Sequence, residues 1–271
     1  MPEAVIVATA RTPIGRANKG SLVDIRPDDM SAFIIDALLD KVPELDRGLI
    51  EDVLWGCGQP AGEAGTNVAR VAAILAGLPG VPGTTVNRYC SSSLQTNRMA
   101  AHAIKAGEGD VFVAGGVETV SRFMNGMADG GPKNEKFAGA VERTKKRAEG
   151  HQGDWTPPTG LPDIYIAMGQ TAENVRELEK VSRQEMDEFA ALSQQRAVKS
   201  QENGFFDREI TPITTPDGKV VTKDDGPRAG TTVEGLAALK PVFRPDGEVT
   251  AGNSCPLNDG AAAVVVMSDT K

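Results

Sequence analysis

In the first 120 residues, short apolar runs alternate with helix-like stretches, and glycines punctuate the changes. Val5 to Ala8, Val53 to Trp55, Thr84 to Val86 and Asp110 to Ala114 are the runs, short enough for strands. Asp28-Asp29 opens a helix with Met30, Phe33, Ile34, Ala37 and Leu38 at helical spacing and acids at its positive end. Thr66 to Leu75 repeats the pattern with Val68, Val71, Ala72 and Leu75 on one face, and Ser91 to Ala106 runs to a stop at Gly107. Gly56 and Gly58 close the second run; Gly115-Gly116 closes the fourth. Strands this apolar must be buried on both sides, so the pattern predicts an α/β sheet covered by helices on both faces.

The alternation stops near Val120. Gly126, Gly130, Gly131 and Pro132 break the chain, and a basic cluster, Arg143, Lys145, Lys146 and Arg147, is read as a solvated surface rather than a phosphate contact. Helical order resumes at Met168 to Leu178. Ser182-Arg183-Gln184-Glu185 is a capping box for a helix to about Gln201, with Met186, Phe189, Ala190, Leu192 and Ser193 as its inner side. Extended segments follow at Ile210 to Thr214 and Val220 to Thr222. Ala261 to Met267 then reads as a fifth strand of the opening sheet. The expected organisation is one domain over 1–119 and 250–271, with an inserted domain over 120–249.

Several classes are excluded by composition. A net charge of -8 and 4% aromatic residues oppose a nucleic-acid surface. No apolar run is long enough to span a bilayer, and the first residues read as a strand rather than a signal peptide. Cys57, Cys90 and Cys255 are far apart, odd in number and never paired as CxxC, which suggests neither a disulfide framework nor a zinc site. A reducing compartment, the cytoplasm, is expected.

Cys90 stands where the third strand runs into a helix, in Thr85-Val86-Asn87-Arg88-Tyr89-Cys90-Ser91-Ser92-Ser93-Leu94-Gln95. Backbone N–H groups and the positive end of a helix dipole favour a thiolate there. A small buried residue in a turn is the plainer alternative. The surrounding segments reverse that choice, because the chain resembles the thiolases, coenzyme A-dependent acyltransferases that cleave or form 3-oxoacyl-CoA. The resemblance runs in order through Ala10-Arg11-Thr12-Pro13-Ile14-Gly15, the Cys90 segment, Ala114-Gly115-Gly116-Val117-Glu118, Met168-Gly169-Gln170-Thr171-Ala172-Glu173-Asn174, Leu239-Lys240-Pro241, Thr250-Ala251-Gly252-Asn253-Ser254 and Asn258-Asp259-Gly260-Ala261-Ala262-Ala263.

The resemblance implies a thiolase-fold half: a five-stranded mixed sheet flanked by helices, with an inserted loop domain that holds coenzyme A. Cys90 would carry the acyl group as a thioester, its own N–H contributing to an oxyanion hole. Met168, Arg228 and Cys255 match positions that contact coenzyme A. No permanent cofactor is implied; acyl-CoA and coenzyme A are substrates, and a homodimer or homotetramer is expected. Ala167 and Gly235 replace residues of biosynthetic relatives, which leans towards a degradative 3-ketoacyl-CoA thiolase of β-oxidation type. Asn97 replaces a usual aliphatic residue.

The Gly-His-Pro histidine, the Asn-Glu-Ala-Phe loop and the second reactive cysteine of the family's other half have no counterpart in these 271 residues. His102 lies about three helical turns from Cys90, too far for a direct base, and is read as a surface residue; His151 is read as exposed. The chain alone is therefore expected to be acylated without completing a cycle. A non-catalytic acyl-CoA-binding or assembly module is the alternative. Glu118 and Glu173 are read as structural hydrogen-bond acceptors.

Overall fold

A computed structural model describes residues 2–150 and 152–271; the expectation for His151 lies outside them. In chain order the elements are β1 (Ala4–Arg11), β2 (Gly15–Arg16), α1 (Pro27–Leu39), β3 (Asp52–Gly56), α2 (Val68–Leu75), β4 (Gly83–Val86), α3 (Ser92–Ala106) and β5 (Val111–Thr119). Then come α4 (Ala138–Glu149), α5 (Met168–Glu179), α6 (Arg183–Glu202), β6 (Ile213–Thr214), β7 (Val220–Val221), α7 (Val233–Ala237) and β8 (Asn258–Ser268). Among the described residues, no helix is long and apolar enough to cross a membrane.

The first compact unit comprises 1–130, 204–226 and 257–271. Its sheet has the order β1-β8-β5-β3-β4, with the two-residue β2 also paired to β8. β3 pairs in parallel with β4 and β5, whereas β8 runs antiparallel to β5 and β1. These are the five expected strands, in a mixed sheet.

Each face of the sheet is covered because side chains alternate along the strands. Val53, Trp55, Val113 and Val265 join Met30, Ile34 and Leu38 of α1 in the larger core; Leu54, Phe112, Ala114 and Val266 meet Ala100 and Ile104 of α3 on the other side. The buried Trp55 satisfies its indole by donating Nε1–H to Ser31 Oγ at 3.0 Å. Helix α1 has Pro27 at its first turn with Asp28 and Asp29, positions where a missing N–H costs nothing and negative charge is favoured. Gly107 ends α3 with φ +75°.

Two expectations for this unit need correction. In α2 the buried residues are Val68, Ala69, Ala72 and Ala73, while Leu75 is 54% exposed; a face of small residues lets the helix lie close to the sheet. β5 does not end at Gly115-Gly116 but runs through them to Thr119. A Cβ on Gly115 would stand 2.3 Å from Ala262 O, so the glycine serves close strand contact rather than termination. The segment 204–226 groups with the first unit. Ile213 and Val221 of the β6–β7 hairpin enter the larger core, and Asp224 accepts from Arg11 Nη1 at 2.8 Å.

The second unit comprises 131–203 and 227–256. Helix α6 has its capping box, but its buried residues are Asp187 and Ala191, and Phe189 is exposed. Polar bonding decides that face: Asp187 accepts from Arg183 Nε at 2.7 Å and from Asn253 Nδ2 at 2.9 Å. Glu173, fully buried, accepts from the N–H of Val249 at 2.8 Å and of Glu248 at 3.0 Å. The basic cluster is split. Arg147 is buried and bonded to Glu177, Arg143 donates to Asp163, and Lys145 and Lys146 are exposed.

Candidate active site

The carboxyl ends of parallel β3, β4 and β5 share one edge of the sheet, with Gly56 paired to both Val86 and Gly116. Because β8 is antiparallel, its first residues arrive at that edge, Gly260 opposite Glu118 and Ala262 opposite Gly116. Ligands of open α/β sheets bind at such an edge. Here a cavity of about 370 Å³ opens, lined by Cys57, Gly58, Tyr89, Cys90, Glu118 and Asp259 among others.

Cys90 is exposed and belongs to a 3-10 turn, Tyr89–Ser91, that leads into α3. The turn is tied by Ser92, whose Oγ accepts the Arg88 N–H at 2.8 Å and donates to Tyr89 O at 2.6 Å. First-turn N–H groups lack an acceptor four residues back in their own helix. Cys90 lines the cavity two residues before α3 begins.

The first turn of α3 lies on a seat of two glycines. A Cβ on Gly56 would stand 2.7 Å from Ser93 N, and one on Gly116 would stand 2.3 Å from Ser93 Oγ and 2.6 Å from Gly56 O. A side chain at Gly56 would lift the start of the helix that follows Cys90, and one at Gly116 would press on Ser93 and β3.

Glu118 and Cys57 form the cavity's other acid and thiol. Glu118 Oε2 accepts the Gly58 N–H at 2.8 Å, and Cys57 Sγ donates to Oε1 at 3.9 Å. Burial raises the Glu118 carboxyl above its ordinary value, against the hydrogen bonds from the loop. Burial, with the Glu118 charge adding to it, pushes the Cys57 thiol up to about 12. Cys57 is thus a buried thiol that stays protonated at neutral pH. Sequence spacing missed the role of Cys57, since its only signal was its place between Gly56 and Gly58.

The other expected site residues belong to the second unit. Met168 is the first residue of α5 and 71% exposed; a Cβ on the adjacent Gly169 would meet the Phe243 ring at 2.2 Å, so that helix start packs closely on Phe243. Arg228 is exposed, its N–H donating to Gln194 Oε1 at 2.8 Å. Cys255 is an exposed free thiol. A cavity of about 310 Å³ beside Ala167, lined also by Lys133, Lys145 and Tyr165, includes none of these three. His102 is exposed on α3 and is not among the residues lining the Cys90 cavity.

Residues 4–270 match the family described as "Thiolase, N-terminal domain". The chain belongs to the thiolase family. It is 46% identical to a beta-ketoadipyl-CoA thiolase of Acinetobacter baylyi over 99% of its own length and 67% of that protein's. It is 40% identical to a 3-ketoacyl-CoA thiolase of Bacillus subtilis over 100% of its length and 67% of that protein's. Among solved structures, the dimeric peroxisomal thiolase of Saccharomyces cerevisiae is 33% identical with a TM-score of 0.83, over 98% of this chain and 64% of that one. The chain spans about two thirds of the length of the thiolases it matches. Thiolases are acyltransferases of coenzyme A thioesters, and this chain has the family's mixed sheet flanked by helices.

Proposed function

We propose that the Cys90 cavity is an acyl-transfer site for coenzyme A thioesters, with Cys90 as the nucleophile. Its Sγ attacks the thioester carbonyl; a new carbon–sulfur bond forms at Cys90, the bond to the coenzyme A sulfur breaks, and the Cys90 proton ends on the departing thiol. The Cys90 N–H supports the oxyanion of the tetrahedral intermediate. The observation that carries this reading is the exposed thiol opening α3 at the mouth of a cavity at the strand ends. No histidine among the described residues lines that cavity, so the acyl-enzyme is expected to accumulate rather than turn over.

The names of the relatives point to a 3-oxoacyl thioester as substrate, and Ala167 and Gly235 favour the degradative direction, in which the carbon–carbon bond between acyl carbons 2 and 3 is cleaved by coenzyme A. Met168 and Arg228, in the inserted domain expected over 120–249, and Cys255, just beyond it, are assigned to coenzyme A. Self-association as a dimer and a reducing, cytoplasmic setting complete the proposal; three free thiols fit that setting. The test is incubation with acetyl-CoA, followed by intact mass and peptide mapping. An acetyl adduct on Cys90 that disappears in Cys90→Ala supports the reading; no adduct, or one on Cys57 or Cys255 alone, overturns it. Binding of coenzyme A without any adduct would instead favour the non-catalytic module.

A further inference from the structure

The residue before Cys90 is held in a conformation that its side chain disfavours. Tyr89 has φ +45°, in the left-handed region where a bulky side chain is strained. Such a backbone persists only when its surroundings over-determine it. Several hydrogen bonds restrain Tyr89. Its N–H donates to Asn87 Oδ1 at 2.9 Å, and its carbonyl accepts from Ser92 Oγ and from the Ser92 N–H, all local to the turn. Another is distant in sequence: the Tyr89 phenol donates to Asp129 Oδ1 at 2.9 Å.

Asp129 is itself anchored twice to the loop after β3. It accepts from Gln59 Nε2 at 2.6 Å, and its N–H donates to Gln59 Oε1 at 3.0 Å. That loop abuts the turn: a Cβ on Gly58 would stand 3.5 Å from Tyr89 Cα. Gly58 is tied in turn to Glu118 by its N–H. The segment carrying Asp129 is pinned beside the same loop, since Glu63 accepts from Arg122 Nε at 2.7 Å and from Asn125 Nδ2 at 3.0 Å. A Cβ on Gly62 would stand 2.3 Å from Asn125 O, which leaves little room for the two segments to slide.

We infer that Tyr89, Asp129 and Gln59 form a positioning clamp that holds Tyr89 at positive φ and so fixes the direction in which Cys90 presents its Sγ and N–H. The inference rests on the reading of Cys90 as the reacting thiol. The clamp residues do not react; they act through the backbone that precedes Cys90. Releasing the phenol lets Tyr89 relax towards negative φ, which rotates the peptide joining it to Cys90.

Glycine at position 89 separates this from a general structural role, because glycine adopts positive φ without strain and needs no clamp. The experiment follows iodoacetamide alkylation of wild type, Tyr89→Phe, Asp129→Ala, Tyr89→Gly and the Tyr89→Gly/Asp129→Ala double variant, from pH 6 to pH 10. Peptide mapping reads Cys90 and Cys255 in the same sample, with Cys255 as the internal reference. Tyr89→Phe and Asp129→Ala should slow Cys90 alkylation about fivefold and alter its pH profile, with Cys255 unchanged. The double variant should return Cys90 to within about twofold of wild type, because with glycine the loss of Asp129 has no strained residue to release. Equal Cys90 rates in all variants overturn the inference, as does a loss in Asp129→Ala that glycine fails to restore. Failure of acetyl-CoA to label wild-type Cys90 bears on the acyl-transfer reading instead and leaves these alkylation rates interpretable.

Discussion

Gly116→Ala probes the seat on which the first turn of α3 rests. The added methyl would lie 2.3 Å from Ser93 Oγ, 2.6 Å from Gly56 O and 3.1 Å from Gly56 C. Ser93 can rotate its hydroxyl away, but Gly56 O belongs to a neighbouring strand in register with Gly116 and cannot. Either β3 or the first turn of α3 must shift. Overpacking of this kind costs about 1–3 kcal/mol. At about 2–4 °C per kcal/mol for a chain of this size, Tm should fall by roughly 2–12 °C. The Cys90 alkylation rate should fall as well, because α3 moves with its seat. Gly80→Ala is the control, since nothing lies within 4 Å of its Cβ; its effect should stay within about 0.5 kcal/mol. Adding Ser93→Ala to Gly116→Ala removes one of the two clashes and should restore part of the loss. Thermal unfolding and peptide-mapped alkylation read both effects. A Gly116→Ala protein with wild-type Tm and wild-type Cys90 reactivity would refute the seat.

Cys57, with its thiol near 12 and only 2% exposed, should resist iodoacetamide at pH 8 in the folded protein while Cys90 and Cys255 react; rapid labelling of Cys57 would contradict its burial. The Glu118 carboxyl is raised in the folded state, so its stabilising contribution is complete below the ordinary carboxylate value and is lost as pH rises through the raised one. Relative to wild type, Glu118→Gln should therefore gain stability between pH 4 and pH 7 in urea titrations, and a constant difference would count against the shift. Glu173→Ala strands the N–H groups of Glu248 and Val249 and removes one of the carboxylate partners of Arg176. A loss of about 3 kcal/mol is expected from the urea midpoint; a change below about 1 kcal/mol would show that those groups find other acceptors.

What could be read from the sequence was whatever near neighbours decide. Apolar runs and helix spacing located β1, β3, β4, β5, β8, α1 and α3, and Gly107 stops α3 as expected. The capping box at Ser182 and Glu185 holds, because its bonds join residues three apart. Membership of the thiolase family was legible through an ordered set of motifs around Cys90 and elsewhere, which is information about the family rather than about local physics.

Long-range contact decided the rest. Whether Gly115-Gly116 ends a strand or lets a helix and a strand approach depends on Ser93, Trp55 and Ala262, none of them near in the chain. Leu75 and Phe189 face outward despite their hydrophobicity, since alanines suit the close side of α2 and the Arg183–Asp187–Asn253 bonds fix that of α6. The stretch 204–226 joins the first unit through Ile213, Val221 and Asp224, against its polar, loop-like composition. Cys57 and Cys90 are both single cysteines after a strand. Only the tertiary structure buries one against Glu118 and exposes the other at a helix start, because burial and charge at a thiol are set by whatever segments the fold packs around it.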